Sequence, residues 1–132
     1  MSKRSIGPPT LFSSVEHGFS QVIVATGTKA VFISGQTAWD ANKQIVGRSL
    51  GEQARQAMRN VTIAVGAAGG SLGDVVSLRI YVVESARHEL ADIGEVLRES
   101  FPEDPPVSTW IGVAFLANPD FLIEIEATAV LP

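Results

Sequence analysis

Apolar side chains recur along this chain with two different periods, and the change of period divides it into elements. From Ser49 the spacing is helical, with Leu50, Ala54, Ala57, Met58, Val61, Val65 and Ala68 on one stripe. Ser49-Leu50-Gly51-Glu52 fits a capping box, in which the serine oxygen and the glutamate carboxylate each accept an otherwise orphan N–H. Gly69-Gly70 ends the run. A second helix is expected from Ser85, with Leu90, Ile93, Leu97 and Phe101 on its apolar side and Pro102 closing it. The remaining apolar runs alternate or are β-branched: Ser20–Ala25, Lys29–Gln36, Val75–Val83, Val107–Leu116 and Phe121–Leu131 read as strands. The first two flank Thr26-Gly27-Thr28 and are expected to form a hairpin. Asp40–Lys43 reads as a polar turn, and a tight Asn118-Pro119-Asp120 turn joins the last two strands. Gly7-Pro8-Pro9 argues against a regular element in the first dozen residues, beyond a short extended piece near Leu11–Ser13. The order is β-β-α-β-α-β-β, an α+β domain over residues 1–132 with residues 1–12 as an N-terminal tail.

Alternation assigns the faces. Val76, Leu78, Ile80 and Val82 form an apolar face in the third expected strand, with Ser77, Arg79 and Tyr81 on the other. In the last strand Ile123, Ile125, Ala127 and Ala129 oppose Glu124, Glu126 and Thr128, and in the second Val31 and Ile33 oppose Phe32, Ser34 and Gln36. Two helices on one face of the sheet take the apolar side. The other side then mixes Phe32, Tyr81 and Trp110 with Arg79, Glu124 and Gln36. A surface of that composition usually meets another subunit, so an oligomer is expected.

Composition narrows the function classes. A chain of 132 residues, 45% hydrophobic, is long enough for one packed core and too apolar for disorder. A formal charge of −4 supplies no electrostatic footprint for nucleic acid or an anionic membrane. With no cysteine, disulfides, thiolate nucleophiles and thiolate metal sites are excluded. No apolar run follows the basic start and none approaches a membrane span, so a cytoplasmic protein is the expectation.

Glu124 and Glu126 project from one strand face two residues apart, and paired carboxylates divide acid and base roles when their environments separate them. The competing reading is an ion-paired or solvated face with Arg79 as partner. Gly35, inside a strand, signals a bulge or the close approach of a backbone or ligand, or else a local bend where the hairpin leaves the sheet. The two histidines, His17 and His88, make no metal site by local spacing, and no Gly-rich phosphate loop or dinucleotide fingerprint is present.

Five blocks together are similar to the Rid family (YjgF-like proteins, reactive-intermediate deaminases). Gly18-Phe19-Ser20-Gln21 resembles the family's Gly-Pro-Tyr-Ser-Gln, with Phe19 at the tyrosine position, and Ser34-Gly35-Gln36 its Ser-Gly-Gln. Glu52-Gln53-Ala54-Arg55-Gln56-Ala57 with Asn60-Val61 resembles its first helix, Gly73-Asp74-Val75-Val76 the start of its central strand, and Ile123-Glu124-Ile125-Glu126-Ala127 its closing signature. The resemblance implies a chorismate-mutase-like fold, a homotrimer with ligand clefts between subunits, and no metal or cofactor. In active members it implies hydrolysis of an enamine or imine to a 2-keto acid and ammonia, by water held near the glutamate matching Glu124.

The same resemblance marks a departure. Ser108 stands where the family usually has a carboxylate-binding arginine, Trp110 takes a position that is often small, and Phe19 lacks the tyrosine hydroxyl. A serine hydroxyl is no substitute for a bidentate guanidinium, so 2-imino acids are expected to be poor substrates. The sequence thus points to an intersubunit small-molecule site with Glu124 as catalytic candidate and Ser108, Trp110, Phe19, Gly35, Tyr81 and Arg79 as binding candidates. Two readings stay open, imine or enamine hydrolysis and ligand binding without turnover. Ribonuclease activity, attached to some relatives, finds less support in an acidic chain.

Overall fold

A computed structural model describes residues 2–132. The strands are β1 (Ser2–Ile6), β2 (Val22–Thr26), β3 (Lys29–Gln36), β4 (Val75–Val83), β5 (Val107–Val113) and β6 (Ile123–Leu131); the helices are α1 (Leu50–Ala67) and α2 (Ala91–Ser100). Four strands make one sheet in the order β3-β6-β4-β5, and β1 pairs with β2 in a separate ribbon. β3 and β4 each run antiparallel to β6, and β5 runs parallel to β4. The chain therefore makes two crossovers, β3-α1-β4 and β4-α2-β5, and crossovers of one hand lay both helices on the same sheet face.

That face is the apolar one. Leu78, Ile80 and Val82 of β4 and Ile123, Ile125, Ala127 and Ala129 of β6 pack beneath Leu50, Ala54, Met58, Val61 and Val65 of α1 and Ile93, Val96 and Leu97 of α2. Fully burying one such aliphatic side chain stabilises by about 1.5–3 kcal/mol. A bulge between Val75 and Ser77 turns Val75 into the core, where alternation had placed Val76.

The capping box forms as the sequence predicts. The Ser49 hydroxyl accepts the Glu52 N–H at 3.1 Å, and the Glu52 carboxylate accepts the Ser49 N–H at 3.1 Å. Those backbone donors, Ser49 first and Arg48 second, hold the Glu52 carboxyl below its usual value, so its contribution is present at neutral pH and lost as pH falls through the depressed pKa. Ser49→Ala is expected to cost about 1 kcal/mol, read as a lower urea midpoint with an unchanged slope. α2 begins later than predicted: Glu84–Glu89 is a 3₁₀ segment, and Leu90 at its end is 37% exposed rather than core.

The N-terminal half departs from the sequence reading in two ways. The first dozen residues are not a featureless tail, because Ser2–Ile6 pairs with β2 from Ser2↔Thr26 to Ile6↔Val22. Lys3 anchors that ribbon to the start of β4, its ammonium donating to the carbonyls of Val75 (2.9 Å) and Gly73 (3.3 Å), and burial lowers its pKa. The hairpin expected about Thr26-Gly27-Thr28 is not formed, since β2 and β3 lie in different sheets. A two-residue hairpin turn needs a positive φ, and Gly27 does not adopt one. Its lack of a side chain serves another purpose: a Cβ there would sit 2.6 Å from Val130 Cγ1 and closer still to the Leu131 carbonyl.

β5 and β6 flank β4, so the Asn118-Pro119-Asp120 turn belongs to a connection across the end of the sheet. The Asn118 carboxamide accepts the Asp120 N–H at 2.8 Å, an Asx turn. Among the described residues, no helix is long and apolar enough to cross a membrane.

Candidate functional site

The helix-free face of the sheet carries the carboxylates. Across it Thr128 stands opposite both Phe32 and Ser77, Glu126 opposite Arg79, and Glu124 opposite Tyr81. Phe32 is 80% exposed, so this face is bare in the single chain.

Alternation correctly put the two glutamates together, but their environments differ. The Tyr81 hydroxyl donates to Glu126 Oε1 at 2.5 Å. Its pKa is raised, first by that bond and then by burial, against the opposing pull of Arg79; at neutral pH it is a protonated donor and Glu126 is engaged. Glu124 makes no side-chain hydrogen bond or ion pair with another described residue, and the Arg79–Glu124 pair expected as the alternative is absent. Glu124 is therefore the carboxylate with lone pairs to spare.

Gly35 makes room for it. A bulge between Ile33 and Gln36 brings the Gly35 backbone against Glu124, and a Cβ there would lie 2.7 Å from the Glu124 Cγ and Cδ and overlap Oε2. The bulge is as expected, but what comes close is the Glu124 side chain rather than a backbone or ligand. The same bulge registers Gln36 with Ile125, so Gln36 leaves the face that alternation gave it.

A second group lies on the opposite side of the sheet. The register sets Ser108 opposite Leu78 and Trp110 opposite Ile80, which makes them helix-side residues of the edge strand. Trp110 therefore does not belong to the open face, where the sequence reading had placed it; it packs on the core. Its indole N–H donates to the Ser108 hydroxyl at 2.9 Å. Phe19 lies against it with ring centroids 6.2 Å apart, and Phe12 extends the row at the same distance from Phe19. The structure thus brings Glu124, Gly35, Tyr81 and Arg79 together and Ser108, Trp110 and Phe19 together, with the sheet between the two groups.

Two amides hold the carboxylate group in place, and sequence reasoning saw them only as parts of a motif. Buried Gln53 donates to the carbonyls of Asp120 (2.9 Å) and Gly47 (3.3 Å) and accepts the Leu122 N–H at 2.8 Å, pinning the chain two residues before Glu124. Asn60 donates to the carbonyls of Thr37 and Trp39 at 2.9 and 2.7 Å, fixing the segment that leaves the Gly35 bulge. Their signal in the sequence was a polar side chain on an otherwise apolar helix stripe. Both histidines are exposed, and no cluster of three His, Cys, Asp or Glu suited to a metal occurs among the described residues.

A sequence model of the family described as Endoribonuclease L-PSP matches residues 12–131. The crystal structure of YyfB from Yersinia pestis, described as a protein of unknown function of the conserved Rid family, superposes with a TM-score of 0.92. It is 40% identical, over 99% of this chain and 100% of that one. This chain belongs to the Rid family. The Rid chain is also 36% identical over 112 residues to a RutC family protein of Pyrococcus horikoshii, covering 84% of this chain and 85% of the relative. To a protein of Escherichia coli that carries the name reactive intermediate deaminase TdcF it is 33% identical, covering 76% and 78%. The chorismate-mutase-like α+β fold expected of a Rid protein is the fold observed.

Proposed function

We propose that this Rid protein is a homotrimer with small-molecule clefts between subunits, and that each cleft hydrolyses an imine or enamine. Glu124, Gly35 and Tyr81 come to the cleft from one subunit and Phe19, Ser108 and Trp110 from the next. The observation that carries this reading is the unpartnered Glu124 carboxylate, on a bare sheet face, with the aromatic group out of its reach on the far side of the same sheet. A second copy would unite the two groups. The name of the E. coli relative supports a deaminase-type reaction.

The chemistry needs one base and one water. Glu124 accepts a proton as the water oxygen bonds to the imine carbon, giving a carbinolamine. That proton passes to nitrogen; Glu124 then takes the hydroxyl proton and hands it to the same nitrogen as the C=O bond forms and the C–N bond breaks, so a carbonyl compound and ammonia leave. The Tyr81–Glu126 pair keeps the second carboxylate from competing for the water. Binding without turnover is the second reading, and the Ser108–Trp110 hydrogen bond favours it, because the indole N–H is taken up and that half of the cleft then offers a ligand only the neutral Ser108 hydroxyl. Endoribonuclease, the word in the family description, fits less well with a net charge of −4.

Sedimentation equilibrium is expected to give a trimer, because the bare face with Phe32 needs a partner. A stable monomer at micromolar concentration would remove the shared cleft. Ammonia release from a panel of imines made in situ, with spontaneous decay subtracted, tests the reaction. A trimer that binds ligands yet releases no ammonia above the blank would establish the binding role instead.

A further inference from the structure

The groove beside Trp110 carries a cation that the cleft described above does not use. An opening of about 450 Å³ runs between β5 and the 3₁₀ segment after β4, walled by Val83, Leu90, Trp110 and Val113 and flanked by Arg87 and Glu84. That size is within the range of small-molecule sites. Gly112 has open space where a side chain would stand, which widens the trough at its middle. The Trp110 N–H is already given to Ser108, so the indole offers the groove an apolar face rather than a donor. The charged groups lining the groove are Arg87 and Glu84.

Arg87 is available to a ligand. It touches Glu84 through one nitrogen at 3.4 Å, and both side chains are more than 60% exposed, so the pair holds weakly. The guanidinium has five N–H donors in a fixed fork, which leaves a bidentate edge for a carboxylate. Its place also matters. Arg87 follows the end of β4, where Val83 pairs with Val113, whereas Ser108 pairs with Leu78 five residues earlier. At 3.3 Å per residue the two ends are about 16 Å apart.

We infer that this groove takes a small organic anion with an apolar body, its carboxylate on Arg87 and its body along Val113, Leu90 and Trp110. The inference rests on the small-molecule role proposed above and names its ligand class. It leaves short 2-imino acids as poor ligands: their carboxylate adjoins the imine carbon, and an anchor at this end of the strand does not serve the position facing Ser108.

The test compares 3-phenylpropionate with its neutral amide, 3-phenylpropionamide, by isothermal titration. The acid is expected to bind about fivefold tighter at low salt, as suits a largely exposed ion pair. Raising salt to about 0.5 M should shrink that advantage. Arg87→Gln should erase it while leaving the amide's affinity in place, and Glu84→Gln, which removes the competing carboxylate, should widen it. Equal binding of acid and amide by the wild type, no binding of either, or an undiminished preference in Arg87→Gln would each overturn the inference. Glu124→Gln should keep the preference for the acid. Because the groove lies within one chain, a monomeric or catalytically silent protein would sink the proposed hydrolase without touching this site.

Discussion

Glu124→Ala is expected to lower imine hydrolysis by about 10²–10⁴-fold, the usual worth of a positioned general base, while the protein still folds and assembles. The fold should survive because the Glu124 side chain supports nothing around it: it makes no hydrogen bond or ion pair with another described residue, and its strand is held by Ile123, Ile125 and the Gln53 bond to Leu122. Glu124→Gln sharpens the experiment by keeping the shape and removing the proton acceptor. Turnover should fall nearly as far in the amide variant, with ligand affinity changed little. Were Glu124→Gln to turn over as fast as the wild type, the carboxylate would not be the base and the water would need another acceptor. Loss of the trimer in Glu124→Ala would show instead that the residue serves the interface.

Wild-type turnover of 2-iminobutyrate is expected to fall about thirty- to several-thousand-fold below that of relatives with an arginine at the position of Ser108. This range corresponds to about 2–5 kcal/mol for the loss of a desolvated charge pair. The structure adds a reason for a modest gain from Ser108→Arg. That substitution removes the acceptor of the Trp110 N–H and drives a cation between an indole and the core-facing side of β5, where nothing orients it. Hydrolysis by wild type and variant, measured side by side, decides the matter. Wild-type rates equal to those of the arginine-bearing relatives would mean that the clamp is dispensable. A charge supplied from elsewhere is the alternative, with Arg79, which the register sets against Glu126 on the face that carries Glu124, the first candidate.

What could be read from the sequence was whatever a single segment decides for itself. The Ser49–Glu52 box and the stripe behind it are local, and α1 appeared where they put it. In β6 apolar and polar residues alternate from Ile123 to Thr128, so parity assigned both faces correctly. β5 offered no such contrast: Val107 and Ile111 point one way and Trp110 the other, and only pairing with β4 shows that Trp110 faces the helices. The Ser2–Ile6 strand has one apolar residue in five and owes its existence to β2. The Tyr81–Glu126 bond joins residues 45 apart and follows from a register that no local pattern records. Gly35 was flagged by its type, but the neighbour that needs the space became visible only when β3 met β6.

That meeting limits how the site can change. A side chain at position 35 would push the Glu124 carboxylate out of its berth, since even a methyl group would overlap it. Shortening Glu124 to aspartate would empty the same berth and draw the acid back toward β6. The two positions are therefore linked, since a change at either one moves the carboxylate. Diversification of ligand choice must then enter from elsewhere, through the edge strand carrying Ser108 and Trp110 or the segment carrying Arg87. A library that randomises those positions and holds 35 and 124 fixed should yield altered specificity without loss of the base.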